Sequence, residues 1–342
     1  IGDAGPINKL VYRLFLPVGY RMADFHYAQE RPNLFWKSLY WIGNLAVFRP
    51  IKDTFGFSKA RISYTTGASL SPDAFRFFRA LGISLKQMYG ITEAGTAFSH
   101  RADDVKFETI GSVLPDVEVR ISDEGEILIA SGAIFKGYYK NPDATREKLI
   151  GKWFHTGDAG YFTDEGQVVF LDRVSDLREL AGGGKYAPSF IEGRLRFSPY
   201  IKDAMCIGGK GHHYVTAILI IDFDILGRWA EEHHIPYTTY ADLSQKPEIY
   251  ELTQKEVERV SAALPTFARV RRYSHLHKEF DPDEAELTRT RKLRRTFMEE
   301  RYRGLIEALY GNSNEIVLEA EVKYRDGRTG VVTTPVKIIS LE

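Results

Sequence analysis

The chain has 342 residues and an even charge balance, 46 Lys and Arg against 46 Asp and Glu. That length supports a sizeable core and two or three domains, and the zero net charge gives no reason to expect nucleic acid or an acidic surface as a partner. Cys206 is the single cysteine, which excludes an internal disulfide; its apolar setting, Ala204-Met205-Cys206-Ile207, reads as packing in a reducing compartment.

Residues 1–60 are aromatic and basic, with helical spacing. Phe15, Tyr20, Phe25, Phe35, Trp36, Tyr40, Trp41 and Phe48 are expected to pack in the core or line a groove. Their density also suits a wall of an apolar substrate tunnel or a membrane-facing patch. No apolar run approaches the length of a membrane span, and no signal-peptide pattern is visible. The chain opens on Ile1 rather than Met, so its natural start is expected upstream. The expected location is cytoplasmic, with peripheral membrane contact left open.

Ser71-Pro72-Asp73 supplies a cap, a first-turn proline and a first-turn acid, and so predicts a helix. Phe75, Phe78 and Leu81 fall on one face, and Gly82 stops it. A strand is predicted over Ile83–Met88, ending at Tyr89, where the chain turns through Gly90. Ligands sit at such strand ends in open α/β sheets. From 107 to 173 the period becomes two. Two hairpins are predicted, with turns at Asp123-Glu124-Gly125 and Asp164-Glu165-Gly166, which together suggest a β-rich subdomain. After Asp172-Arg173, short strands (Ala204–Ile207, Val215–Ile221) alternate with amphipathic helices at about 247–263 and 292–310. Gly311 caps the last helix, and a final hairpin turns at Asp326-Gly327. This part reads as a compact α+β domain.

Several groups suit a bound nucleotide. Tyr89-Gly90-Ile91-Thr92-Glu93 offers a flat ring for a base, a hydroxyl for the α-phosphate and a carboxylate for Mg²⁺, which needs only one or two acids. A turn with an incidental acid is the plain alternative. Gly67 and Ala68 leave bare backbone against which a base can lie, or simply make a tight turn. Asp158 in Thr156-Gly157-Asp158 can accept from both hydroxyls of a ribose, or serve only a hairpin turn. Arg173, beside Asp172, is either a donor to the same sugar or half of a surface ion pair. Gly182-Gly183-Gly184-Lys185 fails the Walker spacing, with Glu179 before it and Tyr186 after it. A flexible loop that lets another chain or a thin ligand pass close is the better reading, with a floppy linker as the plain alternative. Lys292 sits in a basic run, Arg289 to Arg295, as a solvated helix start or as a cation for developing phosphate charge. The histidine pairs at 212–213, 233–234 and 275–277 lack zinc-ligand spacing.

The order of these pieces resembles the adenylate-forming superfamily of acyl-CoA synthetases, luciferases and peptide-synthetase adenylation domains. The order is Thr65-Thr66-Gly67-Ala68-Ser69-Leu70, the Tyr89–Glu93 segment, Gly125-Glu126-Ile127 with Gly137-Tyr138-Tyr139, Thr156-Gly157-Asp158, Asp172-Arg173, the glycine loop and the late lysine. Ala181–Pro188 and the tail from Glu319 to Lys337 look most like the long-chain fatty acid–CoA ligase branch. The resemblance covers about residue 55 to the end. It implies ATP, Mg²⁺ and CoA as cofactors and co-substrates, and a fatty acid as the acid activated. Gly67 and Ala68 would flank the adenine, with Tyr89 stacked on it, and Gly90 would belong to the same nucleotide-binding segment. Thr92 would contact the α-phosphate, and Glu93 would hold the metal. Asp158 and Arg173 would bind the ribose, and Asp172 would be the hinge. Gly183 and Gly184 would shape the pantetheine passage. Lys292 would be the catalytic lysine, with Arg291 as its alternative because Thr288-Arg289-Thr290 replaces the family's Thr-Pro-Thr.

The implied architecture is multidomain, α/β and α+β. Residues 1–105 would be the latter part of a large α/β AMP-binding domain, 106–172 its β-rich subdomain, and 173–342 a small mobile α+β C-terminal domain. The family's phosphate loop has no match in residues 1–60. The expectation is therefore an acid–thiol ligase that forms acyl-AMP and transfers the acyl group to CoA, active together with an N-terminal segment that is absent from this sequence or supplied as a separate chain; a homodimer is also open. Two alternatives stand beside it: a non-catalytic nucleotide- or partner-binding piece, and a ligase that hands the acyl group to a carrier protein.

Overall fold

A computed structural model describes residues 5–67, 70–101, 104–288, 293–323 and 329–341. The chain divides into two compact units, Ile1–Asp176 and Leu177–Glu342.

The first unit opens with helices α1 (Pro6–Tyr27) and α2 (Leu34–Gly43), a π-helical turn at Asn44–Phe48 and α3 (Arg49–Thr54). Pro6 starts α1 because the first helical position needs no amide donor. Phe15, Val18 and Met22 recur at helical spacing and are buried, together with Phe48. Phe35 and Trp41 differ from the packing expectation: they are 65% and 63% exposed. Helix α2 is apolar on more than one side, and only part of it lies against α1.

Strand β1 (Ser63–Thr65) leads to α4 (Pro72–Ala80), where the Ser71 hydroxyl accepts the Ala74 amide. Helix α4 buries Phe75 completely, and Gly82 ends the turn at φ +79°. Strand β1 pairs in parallel with β2 (Leu85–Ile91); β2 pairs antiparallel with β3 (Gly95–Ser99), and β3 with β4 (Ser112–Val113). Strand β2 does not stop at Tyr89. It continues through Gly90 to Ile91 and turns at Thr92–Ala94. Gly90 is needed for closeness rather than for a turn: a Cβ there would lie 2.6 Å from the Gly95 carbonyl oxygen and 2.8 Å from the Thr96 Cα. The pairing register shifts between Tyr89 and Gly90.

The remainder of this unit is a second sheet. It contains β5 (Val117–Ile121), β6 (Glu126–Ser131), β7 (Leu149–Ile150), β8 (Trp153–Phe162) and β9 (Val168–Arg173), with α5 (Pro142–Lys148) before β7. The strand order is β5-β6-β8-β7, with β9 paired to β8. Both predicted acidic turns are present, at Gly125 (φ +87°) and Gly166 (φ +78°). Ile127, Ile129, Phe154 and Val168 form its core with Phe98 from β3.

The second unit begins with the short hairpin β10 (Arg178–Glu179) and β11 (Lys185–Tyr186), then α6 (Pro188–Leu195). Its main sheet has the order β12-β13-β14-β16-β15, from β12 (Ile201–Ile207), β13 (Val215–Ile221), β14 (Val270–His275), β15 (Glu315–Lys323) and β16 (Thr329–Ser340). Every residue of β13 is buried, which explains its unbroken apolar run. Val215, Ala217 and Leu219 face one core, with Val257 and Val260; Ile218 and Ile220 face the other, with Leu305 and Leu309. The flanking helices are α7 (Phe223–Glu232), α8 (Tyr240–Ser244) and α9 (Pro247–Ala262), then α10 (Arg295–Arg301) and α11 (Arg303–Tyr310). The helix expected over 292–310 is thus two helices. They break at Tyr302 (φ −101°, ψ 22°), whose buried hydroxyl donates to Glu286. Cys206 is buried, as its neighbours suggested. The Asp326-Gly327 turn lies outside the described residues.

Candidate functional site

The β2–β3 hairpin, the β8–β9 hairpin and the segment after β6 bring the expected residues of the first unit into two linked groups. In the first, the Tyr89 hydroxyl donates to Asp158 Oδ2 at 2.5 Å, and Arg173 Nη1 lies 3.0 Å from Asp158 Oδ1. Arg173 also donates to the Thr156 carbonyl oxygen at 3.1 Å. Asp158 and Arg173 face each other across the β8–β9 ladder, so their meeting follows from strand register. The Asp158 side chain is only 6% exposed, and burial raises its pKa while Tyr89 and Arg173 oppose that rise. Burial and the neighbouring carboxylate push the Tyr89 phenol well above its ordinary value, so it stays a donor.

The backbone around Asp158 is braced from β6. Glu126 Oε1 accepts the Gly157 amide at 2.7 Å, and Glu126 Oε2 lies 2.9 Å from His155 Nδ1. The Thr156 hydroxyl donates to the Ile127 carbonyl oxygen and accepts the Asp158 amide. Gly157 takes φ +74°, which a side chain disfavours. The Tyr89 ring packs edge-on against Phe98 and tilted against Phe170, with centroids 5.5 and 6.0 Å away.

The second group is built on the turn of the β2–β3 hairpin. Thr92 is exposed there, and Glu93 is half-buried. The Tyr138 hydroxyl donates to Glu93 Oε1 at 2.8 Å, and the Phe135 amide donates to the Glu93 carbonyl oxygen at 2.8 Å. Glu93 Oε2 has no hydrogen-bond donor among the described residues. An oxygen donor of this kind suits a hard cation such as Mg²⁺. The described residues hold no cluster of three or more His, Cys, Asp or Glu that could cage a metal by itself. A lone carboxylate fits Mg²⁺ because that ion keeps waters and takes further oxygens from substrate phosphates.

The other expected residues are placed as follows. Gly67 has φ +82°, and a Cβ there would meet nothing within 4 Å, so the space beside it is open. Ala68 lies outside the described residues. Asp172 sits in β9 opposite Ala159; its Oδ1 accepts the Arg173 amide, and its Oδ2 is buried without a hydrogen-bond partner among the described residues. The two compact units divide beyond it, at Asp176–Leu177. In the second unit the glycine loop is a closed turn: the Leu180 amide donates to the Gly184 carbonyl oxygen, and the Gly183 amide to that of Leu180. Gly183 takes φ +81°, and a Cβ at Gly184 would strike the Phe267 ring at 2.7 Å. Arg291 and Lys292 lie outside the described residues; Leu287 and Leu293, on either side of them, pair as an antiparallel bridge. His275 is a core residue, stacked on Tyr250 and lying 2.7 Å from the Ser244 carbonyl oxygen.

Residues 21–139 match the AMP-binding enzyme family, and residues 176–314 match the AMP-binding enzyme C-terminal domain. The chain belongs to the AMP-binding enzymes.

Relatives of this AMP-binding enzyme include the long-chain-fatty-acid–CoA ligase FadD15 of Mycobacterium tuberculosis, 28% identical over 87% of this chain and 50% of that protein. Long-chain-fatty-acid–CoA ligase 6 of Homo sapiens is 30% identical over 74% of this chain and 38% of that protein. The chain spans about half the length of the first of these and less of the second. Among solved structures, the adenylation domain of a carboxylate reductase from Mycobacterium chelonae superposes with TM-score 0.59 at 22% identity, over 87% of this chain and 45% of that one. The corresponding domain from Segniliparus rugosus gives 0.57 at 18%, over 89% and 46%. These likenesses establish the fold.

Two contributors were not singled out from the sequence. Gly125-Glu126-Ile127 and Gly137-Tyr138-Tyr139 stood in the motif order without a role. The structure shows Glu126 bracing the strand that carries Asp158, and Tyr138 on Glu93. Their signal was a glycine beside a polar residue. The contacts they make are long-range and not visible in spacing.

Proposed function

We propose that this AMP-binding enzyme activates a fatty acid with ATP and passes the acyl group to CoA, releasing AMP and pyrophosphate. The observation that carries this reading is the convergence of Tyr89 from β2 and Arg173 from β9 on the buried carboxylate of Asp158 in β8. Such a carboxylate, already holding two donors, is suited to accept ribose hydroxyls. Membership of the family and the names of the relatives support the chemistry; the long-chain substrate rests on those names alone.

In this reading the adenine lies between the Gly67–Ala68 backbone and Tyr89, with Gly90 in the same segment. Asp158 and Arg173 hold the ribose, and Thr92 hydrogen-bonds the α-phosphate. Glu93 holds Mg²⁺, which when bound supplies charge neutralisation for the phosphates. The fatty acid carboxylate attacks the α-phosphorus, the bond to the β-phosphate oxygen breaks, and pyrophosphate leaves. Lys292 neutralises charge that develops between carboxylate and α-phosphate. The CoA thiol then attacks the acyl carbonyl and AMP departs, with Gly183 and Gly184 giving the pantetheine arm room. Asp172 is the hinge residue between the two steps. Positioning and charge stabilisation carry both steps.

The test uses the protein in its full natural length. With Mg²⁺ and ATP, pyrophosphate release should depend on fatty acid, and acyl-CoA should appear only when CoA is added. Release without acyl-CoA, but with acylation of a phosphopantetheinyl carrier, would move the acceptor to a carrier protein. Nucleotide binding with no pyrophosphate under any acid would make the protein a binding module.

A further inference from the structure

Two adjacent tyrosines follow Gly137, and they face different surroundings. Tyr139 is 87% exposed, and Lys140 Nζ lies 5.3 Å from its ring centroid. Tyr138 is half-buried, and its hydroxyl reaches Glu93 Oε1 at 2.8 Å. Tyr138 is itself fixed at several points. Its amide donates to Thr145 Oγ1 at 2.9 Å, and the Thr145 hydroxyl donates onward to the Asn141 carbonyl oxygen. Asn141 caps α5 by accepting the Ala144 amide. Gly137 permits this approach: it takes φ +145°, and a Cβ there would lie 2.9 Å from Thr145. The Tyr138 ring meets Phe135 edge-on at 4.8 Å, and Phe135 in turn meets Phe154 at 5.7 Å.

The same short segment also holds Glu93 by its main chain, through the Phe135 amide. The turn is secured beside it, where the Ala94 amide donates to the Ile91 carbonyl oxygen and Ala94 is almost wholly buried. Glu93 is therefore held at backbone and carboxylate by residues whose own positions are set by packing.

We propose that Tyr138 is a positioning residue for Glu93, orienting its carboxylate so that Oε2 faces a divalent cation brought with the nucleotide. This rests on the reading of Glu93 as the metal-holding carboxylate. A phenol bonded to a carboxylate is a charge-assisted contact that fixes the rotation of the acid. Carboxylates that hold metals are commonly oriented by such outer partners, and their loss costs about 10–100-fold in metal affinity. The bond also leaves Oε2 free for the cation.

The experiment measures Mn²⁺ binding by electron paramagnetic resonance in the presence of ATP, on the full-length protein and without fatty acid. Tyr138→Phe keeps the ring on Phe135 and removes only the hydroxyl. It should weaken Mn²⁺ binding by about tenfold and leave the melting temperature of the protein near that of the parent. Tyr139→Phe, on the exposed neighbour, should change nothing. Glu93→Gln should weaken binding at least as much, and adding Tyr138→Phe to it should cost nothing more. If Glu93→Gln leaves Mn²⁺ affinity unchanged, the Glu93 assignment falls and the role of Tyr138 falls with it. If Glu93→Gln weakens binding but Tyr138→Phe does not, or if the two losses add, Tyr138 is not acting through Glu93 and the proposal alone is overturned.

Discussion

Asp158 holds its two carboxylate oxygens against Tyr89 and Arg173 while remaining almost fully buried. Each oxygen has a lone pair left, so ribose hydroxyls can join the network without displacing both partners. Asp158→Asn keeps the size of the side chain and removes its charge. A hydrogen bond to a charged group contributes about 1.5–3 kcal/mol. The preference of the full-length protein for ATP over 2′-deoxy-ATP should therefore shrink by about tenfold or more. Competition assays with the two nucleotides read this directly, and an unchanged preference would remove Asp158 from the ribose. At this scale the residue types were legible: an aromatic, a hydroxyl and acids in a set order. Their partners were not, because Tyr89 and Asp158 lie far apart in the chain and meet only where the two sheets of the first unit pack together. Glu93 shows the same limit, since nothing local points to Tyr138.

The β2–β3 hairpin contributes to both groups of the candidate site, so its backbone fit matters more than its length suggests. The built Cβ at Gly90 collides with backbone atoms of Gly95 and Thr96, which cannot swing aside as a side chain can. Gly90→Ala should destabilise the first unit by about 1–3 kcal/mol, the usual cost of overpacking. Urea unfolding measures the loss, and amide exchange should rise in β2 and β3 before the β8–β9 hairpin. Neutral behaviour would mean that the strands separate there at no cost. Among the elements, hairpins with acidic-glycine turns were legible because period two and a positive-φ glycine are local signals. The end of β2 was misread because a glycine at a close strand crossing looks the same as a glycine in a turn. The α10–α11 break was also hidden. It accompanies the Tyr302 bond to buried Glu286, which Lys278 and Arg301 also contact.

The two compact units each have cores of their own. The first gathers around Phe75, among the helices and β2, and around Phe98, between its two sheets, and the second lies on both faces of β13. Among the described residues no helix is long and apolar enough to cross a membrane. The order of motifs along the whole chain was the most legible feature, since an ordered series is far less often accidental than any one short match. Which side chains brace the site was set by packing and could be read only from coordinates. In the proposed mechanism one lysine, Lys292, serves the adenylating step and not the thioester step. The decisive measurement compares two half-reactions of Lys292→Ala in the full-length protein: acyl-AMP formation from fatty acid and ATP, and acyl-CoA formation from supplied acyl-AMP. Near-complete loss of the first is expected, with the second largely retained. Equal loss of both half-reactions, or a variant that still forms acyl-AMP at the parent rate, would contradict it.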